Sequence, residues 1–144
     1  AGYEIGSGFI VGVPGQRPET LADDILLARE LHVDMCGAGP FIPQADTPLG
    51  NEPQGSVELA LRVMAVLRIA LPWSNLPATT ASLDPVSGQR EGLLAGGNVL
   101  MPGFTPAAHR EDYCIYDNKH RVSMDEARQV IESAGRTHSL HREG

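Results

Sequence analysis

Gly8-Phe9-Ile10-Val11-Gly12-Val13-Pro14-Gly15, followed at once by Pro18-Glu19-Thr20-Leu21-Ala22-Asp23-Asp24-Ile25, sets the reading of the whole chain. A short apolar run closed by Pro-Gly reads as a buried strand that ends in a turn. Pro18 suits a first helical turn, Glu19, Asp23 and Asp24 stand where the helix dipole favours negative charge, and Leu21, Ile25 and Ala28 recur on one face. The three acidic residues therefore read as helix-start charges and not as a catalytic carboxylate pair. Strand, turn and helix in that order form the unit from which parallel sheets are built.

The unit recurs. Residues 32–38, His-Val-Asp-Met-Cys-Gly-Ala, make a second short apolar segment, and Pro40-Phe41-Ile42-Pro43 follows as a loop too rich in proline to be helical. Ser56 caps a helix predicted from 57 to about 71, where Pro72 stops it. Residues 75–80 and 98–101 are predicted strands, separated by a turn at Asp84-Pro85 and a short helix ending near Gly96-Gly97. Thr105-Pro106 opens a further helix, and Ser123-Met124-Asp125-Glu126 is a capping box for a last helix ending at Gly135, with a frayed tail from Arg136. The fold class expected is α/β, a partial (β/α) barrel of about four parallel βα units.

With 144 residues the chain suits one compact domain. A formal net charge of −7 argues against binding to a phosphate backbone, so nucleic acid is not an expected partner. The two cysteines, Cys36 and Cys114, are far apart and encode neither a disulfide scaffold nor a complete metal site, which fits a reducing cytoplasm. The longest apolar run, 63–71, is broken by Arg68 and too short to span a bilayer, and the N-terminus shows no basic segment before an apolar one, so no membrane partner is expected. The first residue is Ala1, close to a strand, and reads as a start inside a longer coding region. No repeat, low-complexity segment or Gly/Ser linker divides the chain.

Four motifs in order, Gly8-Phe9-Ile10-Val11-Gly12-Val13-Pro14-Gly15-Gln16, Gly39-Pro40-Phe41-Ile42-Pro43 with Asp46-Thr47-Pro48-Leu49, Leu76-Pro77-Ala78-Thr79-Thr80, and Asn98-Val99-Leu100-Met101-Pro102, resemble the last four strands of the HydE-type radical S-adenosylmethionine enzymes, the maturases of FeFe-hydrogenase. The resemblance runs from about residue 2 to 116. It implies residues 1–122 as the C-terminal half of a radical S-adenosylmethionine barrel and 123–144 as a terminal helix and frayed tail. Biotin synthase and methylornithine synthase are less similar at the proline-rich loop. The CxxxCxxC motif of the family, which holds its four-iron four-sulfur cluster, does not occur in this chain, so the cluster is expected only from an N-terminal half. Residues 123–127 carry no cysteines for a second cluster.

In a barrel of parallel strands the reactive face lies at the C-terminal strand ends. By resemblance, Ile10, Met35, Phe41 and Ile42 line the S-adenosylmethionine site, where an adenosyl group needs a soft wall and a few backbone donors and acceptors. By resemblance also, Thr79, Thr80, Met101, Tyr113 and Tyr116 line the substrate cavity. Tyr113 and Tyr116 stand three apart and can share a helix face, and hydroxyls there suit an anionic or carboxylate-bearing small molecule. In an intact enzyme of the family the protein supplies orientation and exclusion of water more than acid–base chemistry.

Each position also has a plainer explanation. Met or Ile on a buried strand is usually core, a Thr pair favours strand structure, and two tyrosines on one helix face pack well against a sheet. Gly6-Ser7-Gly8 with Gly12 is no dinucleotide fingerprint, because these glycines precede or enter the strand instead of following it. His138 and His141, with His120, suit a solvated tail better than a metal site, and Cys36 reads as a buried, inert thiol. Two classes of function remain: part of a radical S-adenosylmethionine enzyme, inactive alone, of the HydE or another biotin synthase-like kind; or a half-barrel binding module whose open edges drive self-association or pairing with a separate N-terminal half.

Overall fold

The computed structural model describes residues 2–78, 85–105 and 122–139. Strands β1 (Gly6–Val11) and β2 (Met35–Pro40) run parallel, with Gly6 opposite Met35 and Val11 opposite Pro40. Helix α1 (Pro18–Glu30) connects them, α2 (Val57–Ala70) follows β2, and α3 (Pro85–Leu94) and α4 (Met124–Ser133) come next along the chain. Strand–helix alternation and parallel pairing are thus as the sequence predicts.

Among the described residues, the third and fourth predicted strands are shorter than expected. Among the described residues they are isolated parallel bridges, Met35 with Asn75 and Pro77 with Val99, beside a two-stranded sheet. The hydrogen bonds still follow a parallel ladder: the Asn75 N–H donates to Asp34 O at 2.7 Å, Cys36 N–H to Asn75 O at 2.9 Å, Asn98 N–H to Leu76 O at 2.9 Å and Ala78 N–H to Val99 O at 2.9 Å. Pro77 has no N–H to give, which interrupts the third segment in its middle. Residues 79–80, the start of the turn at Asp84 and the helix predicted after Thr105 lie outside the described residues.

The helices form where their ends are prepared. Pro18 occupies the first turn of α1, and Leu21, Ile25 and Ala28 are its buried stripe. Ser56 Oγ accepts from Leu59 N–H at 3.1 Å and starts α2, which buries Ala60, Val63, Met64 and Leu67. The capping box of α4 is complete: Ser123 Oγ accepts from Glu126 N–H at 3.2 Å and Glu126 Oε2 from Ser123 N–H at 2.7 Å. Gly135 follows the helix at φ +69, a left-handed conformation that favours glycine. Ser123→Ala should lower the unfolding free energy by about 1 kcal/mol, read as a denaturation midpoint. An unchanged midpoint would show that α4 is held by packing alone.

Alternate residues of the sheet face the helices. Val11, Cys36 and Ala38 join Leu21, Ile25, Ala28, Ala60, Val63, Leu67, Leu71 and Leu76 in one cluster, and Phe9 packs against it. A smaller cluster of Ala78, Leu93 and Val130, with Leu100, Ile131 and Ala134 beside it, joins the last extended segments to α3 and α4. Arg68 fastens the end of α2 to the bend at 71–74 and to the turn at Gly96. Its Nε donates to Gly96 O at 2.8 Å, and its Nη1 donates to Leu71 O at 3.2 Å, Pro72 O at 3.0 Å and Ser74 O at 3.0 Å.

Candidate functional site at the C-terminal strand ends

Because side chains alternate along a strand, the register that turns Val11, Cys36 and Ala38 toward the helices turns Gly6, Gly8 and Ile10 of β1, with Met35, Gly37 and Gly39 of β2, to the opposite face. That face is open: Gly6 and Gly8 are exposed and Ile10 is 54% exposed. Four of its six residues are glycines, so most of it is bare backbone. A Cβ placed on Gly37 would meet nothing within 4 Å, whereas one on Gly8 would stand 2.6 Å from Gly37 O. The strands touch through their backbones there and leave a shallow trough.

The rim is built from the segments that come after each strand. Past β1 the chain turns through Gly12 at φ +82 and Gly15 at φ +78, and Gln16 N–H donates to Val13 O at 2.9 Å. The Gln16 carboxamide returns to the strand, Oε1 accepting from Gly12 N–H at 2.6 Å and Nε2 donating to Ile10 O at 2.9 Å. Past β2, Phe41 N–H donates to Val11 O and Gly55 N–H to Phe41 O, both at 2.8 Å, so the loop leaves and returns at the strand ends. Turns at 44–47, 47–50 and 49–52 fold it on itself, with Thr47 Oγ1 also donating to Gln44 O at 2.8 Å.

Three of the four residues expected at the cofactor site gather at this rim. Ile10 is exposed on the open face, Ile42 is half-buried in the loop after β2, and Phe41 is buried at 8% exposure. Met35 shares the open face but opens β2, opposite Gly6, and so sits roughly 13 Å from the level of Ile10 at about 3.3 Å per residue. Its expected place at a C-terminal strand end is therefore corrected, because β2 begins at Met35 instead of ending there. Of the expected substrate residues, Met101 is 59% exposed; Thr79, Thr80, Tyr113 and Tyr116 lie outside the described residues, as do Cys114, His120 and His141. A cavity of about 470 Å³ lies between the 98–104 segment and α4, lined by Val99, Leu100, Phe104, Met124 and Ile131 among others. It includes no residue of the open trough.

The sequence by itself assigns no role to Gln16 or Gly55. A glutamine just past a Pro-Gly turn, and a glycine directly before a helix cap, are the signals that point to them.

Cys36 is 1% exposed and faces the helix layer. Burial, with a smaller contribution from the Asp24 carboxylate, pushes its thiol above the ordinary range. Cys36 should resist alkylation in the native chain and react on unfolding, followed by mass mapping of the modified peptide; rapid native labelling would contradict its packing. The sign for stability comes from linkage. Above the ordinary thiol value, roughly 8.5, the unfolded chain loses this proton before the folded one, so stability falls as pH rises through that window.

Among the described residues no group of three or more His, Cys, Asp or Glu is placed to hold a metal ion, and no helix is long and apolar enough to cross a membrane.

A parallel α/β sheet with its helices on one face, its glycine-lined face open and its loops gathered at the C-terminal strand ends is what a segment of a radical S-adenosylmethionine barrel would show, and the chain is related by sequence to that family. In particular, it is similar to the [FeFe] hydrogenase maturase subunit HydE of Thermotoga maritima, with 50% identity over 119 residues, 82% of this chain and 34% of the relative. It is 28% identical over 130 residues to the 3-methylornithine synthase of Methanosarcina acetivorans, covering 90% of this chain and 37% of that one. It is 31% identical over 105 residues to a biotin synthase of a Picosynechococcus species, covering 72% and 28%. Among solved structures, methylornithine synthase (PylB) superposes with a TM-score of 0.73 at 25% identity, over 93% of this chain and 39% of that chain. The chain thus spans about a third of the length of the curated relatives it matches. No family model matches the sequence.

The family implies S-adenosylmethionine and a four-iron four-sulfur cluster in the full-length relatives. The cluster does not fit the donors of this chain. Its cysteines number two, and Cys36 is sealed in the core with its thiol held protonated. For an adenosyl group the donors and space are less restrictive: a Cβ at Gly37 would meet open space, and Ile10 is an exposed apolar side chain on the same face.

Proposed function

We propose that this chain forms the adenosyl-facing and substrate-facing wall of a HydE-like radical S-adenosylmethionine barrel acting in FeFe-hydrogenase maturation, with the cluster held by polypeptide outside these residues. The observation that carries the reading is the open, glycine-lined trough ending at Ile10, in a chain 50% identical over 119 residues to a HydE maturase. Bound together, S-adenosylmethionine and the cluster supply radical chemistry in this family. The chain's own residues bind and orient. Ile10 and Ile42 flank the adenosyl group, Phe41 anchors the loop beneath it, and Met35 closes the far end of the trough. The residues that the resemblance assigns to the substrate cavity, Met101 with Thr79, Thr80, Tyr113 and Tyr116, are proposed to bind the small-molecule substrate and keep water from it.

Reconstitution with iron and sulfide, with and without the N-terminal portion of a HydE-type relative carrying CxxxCxxC, tests this reading. Cluster formation and tight S-adenosylmethionine binding are expected only with that portion, the chain alone binding weakly through its adenosyl wall. Tight binding and a cluster on the chain alone would overturn it.

A second reading, association of the half-barrel with another copy of itself or with a separate N-terminal half, is favoured by the uncovered edge and face of β1, where Gly6, Gly8 and Ile10 are exposed. It is separated from the first by sedimentation: a stable dimer that neither pairs with the N-terminal portion nor takes up cofactor supports the module.

A further inference from the structure

We propose that Gln16 is the positioning residue of the adenosyl-facing rim, standing in for a neighbouring strand at the end of β1; this rests on the cofactor reading above. Backbone groups of a parallel strand point alternately to its two sides. Ile5 O and Val11 O are taken by β2 and its flanks, accepting from Asp34 and Met35 N–H and from Phe41 N–H respectively. The even-numbered residues therefore direct their N–H and C=O groups to the uncovered edge. At that edge Gln16 receives the Gly12 N–H on Oε1 at 2.6 Å and gives an Nε2 hydrogen to Ile10 O at 2.9 Å. One donor and one acceptor, spaced two residues apart on the strand, are what an adjacent strand would offer; here a single carboxamide offers both.

The turn makes this reach possible. Gly12 and Gly15 take positive φ values, and the Gln16 N–H donates to Val13 O, which folds residue 16 back beside residue 10. This has two effects. The peptide groups on either side of Val11 cannot rotate without breaking a bond to Gln16, so the Ile10 side chain is fixed on the open face. A strand arriving at the β1 edge can pair only as far as Ile10 N–H, because Ile10 O and Gly12 N–H are already engaged. Glutamine is specifically suited. A glutamate side chain at neutral pH accepts from Gly12 but has no hydrogen for Ile10 O, and a methionine of the same length does neither.

Gln16→Met and Gln16→Glu chains, labelled with ¹⁵N and at the isoleucine methyls, test the assignment in titrations with millimolar S-adenosylmethionine well below their melting temperatures. In the unsubstituted chain the Gly12 amide should be protected from exchange and the Ile10 methyl should shift as S-adenosylmethionine is added. Gln16→Met should speed Gly12 exchange and weaken binding, each by about tenfold, the worth of one or two hydrogen bonds. Gln16→Glu should keep Gly12 protected and still weaken binding, a separation that a merely structural role would not produce. Equal affinity in the unsubstituted chain and Gln16→Met, or in Gln16→Glu should Gln16→Met not fold, overturns the role of Gln16 and leaves the cofactor site standing. Absence of any S-adenosylmethionine shift in the unsubstituted chain overturns the cofactor reading, and the role of Gln16 with it. A Gly12 amide unprotected in the unsubstituted chain overturns the strap itself.

Discussion

Replacing Arg68 with methionine should cost about 3 kcal/mol of unfolding free energy, from the loss of charge-assisted hydrogen bonds that a thioether cannot make. The guanidinium binds Gly96 O from one side and Leu71 O, Pro72 O and Ser74 O from another, so it holds the end of α2, the bend after it and the turn after α3 in one arrangement. Arg136 grips the same turn through Gly97 O at 3.2 Å and Leu93 O at 2.8 Å. Burial, and next the nearby charge of Arg136, lower the pKa of Arg68, so the site carries an electrostatic cost that the carbonyl ring offsets. Among the described residues, Arg68 Nη2 is buried without a hydrogen-bond partner. Methionine keeps the stem and removes the head, which leaves the carbonyls of the bend to find water. Lysine should recover only part of the loss, because one ammonium cannot span carbonyls on both sides. Urea unfolding measures both variants; a loss below about 1 kcal/mol for Arg68→Met, the size of one ordinary hydrogen bond, would mean that the bend is held by Ser74, whose Oγ donates to Val33 O at 2.6 Å, and by packing.

Gly55→Ala should cost about 1 to 3 kcal/mol, the range for forcing a methyl group into a filled space, and should loosen the rim in particular. A Cβ there would stand 2.6 Å from Val11 O and 2.8 Å from Phe41 N, the two atoms of the hydrogen bond that closes the strand pair at its C-terminal end. It would also approach Phe41 Cβ at 3.2 Å, and Gly12 already lies so close that a Cβ on it would be 2.9 Å from Gly55 Cα. Either the 41–55 loop moves out or the Phe41–Val11 bond breaks. The check is a lowered melting temperature together with faster amide exchange at Phe41. Normal stability with an intact Phe41 amide would show that the loop yields without strain.

What the sequence made legible was mostly local. Pro18, Ser56 and the Ser123–Glu126 box mark helix starts by satisfying orphan backbone groups, so α1, α2 and α4 lie where they are predicted. The parallel order of the extended segments came from alternation with those helices. The lengths of the third and fourth did not, because apolar composition at 75–80 and 98–101 says nothing about how many ladder bonds survive Pro77. The site was legible only in part. Ile10 and Ile42 fell at the rim through the family motif, yet Met35 belongs to the other end of β2, since an apolar segment does not announce where within it the pairing begins. The roles of Gln16, Gly55 and Arg68 rest on groups brought together by folding: the Arg68 bond to Gly96 O joins residues 28 apart in sequence.

The bare pairing of Gly8 with Gly37 also constrains how such a site can change. A face made of backbone has no side-chain atoms left to remove, so it cannot be opened further by substitution. It can be narrowed only at Gly37, where a methyl group would find free space, since one at Gly8 would strike the Gly37 carbonyl. In the proposed adenosyl site, accommodation of a bulkier ligand would therefore have to be written on whatever surface faces the trough, while exclusion of one could be written here by a single added carbon.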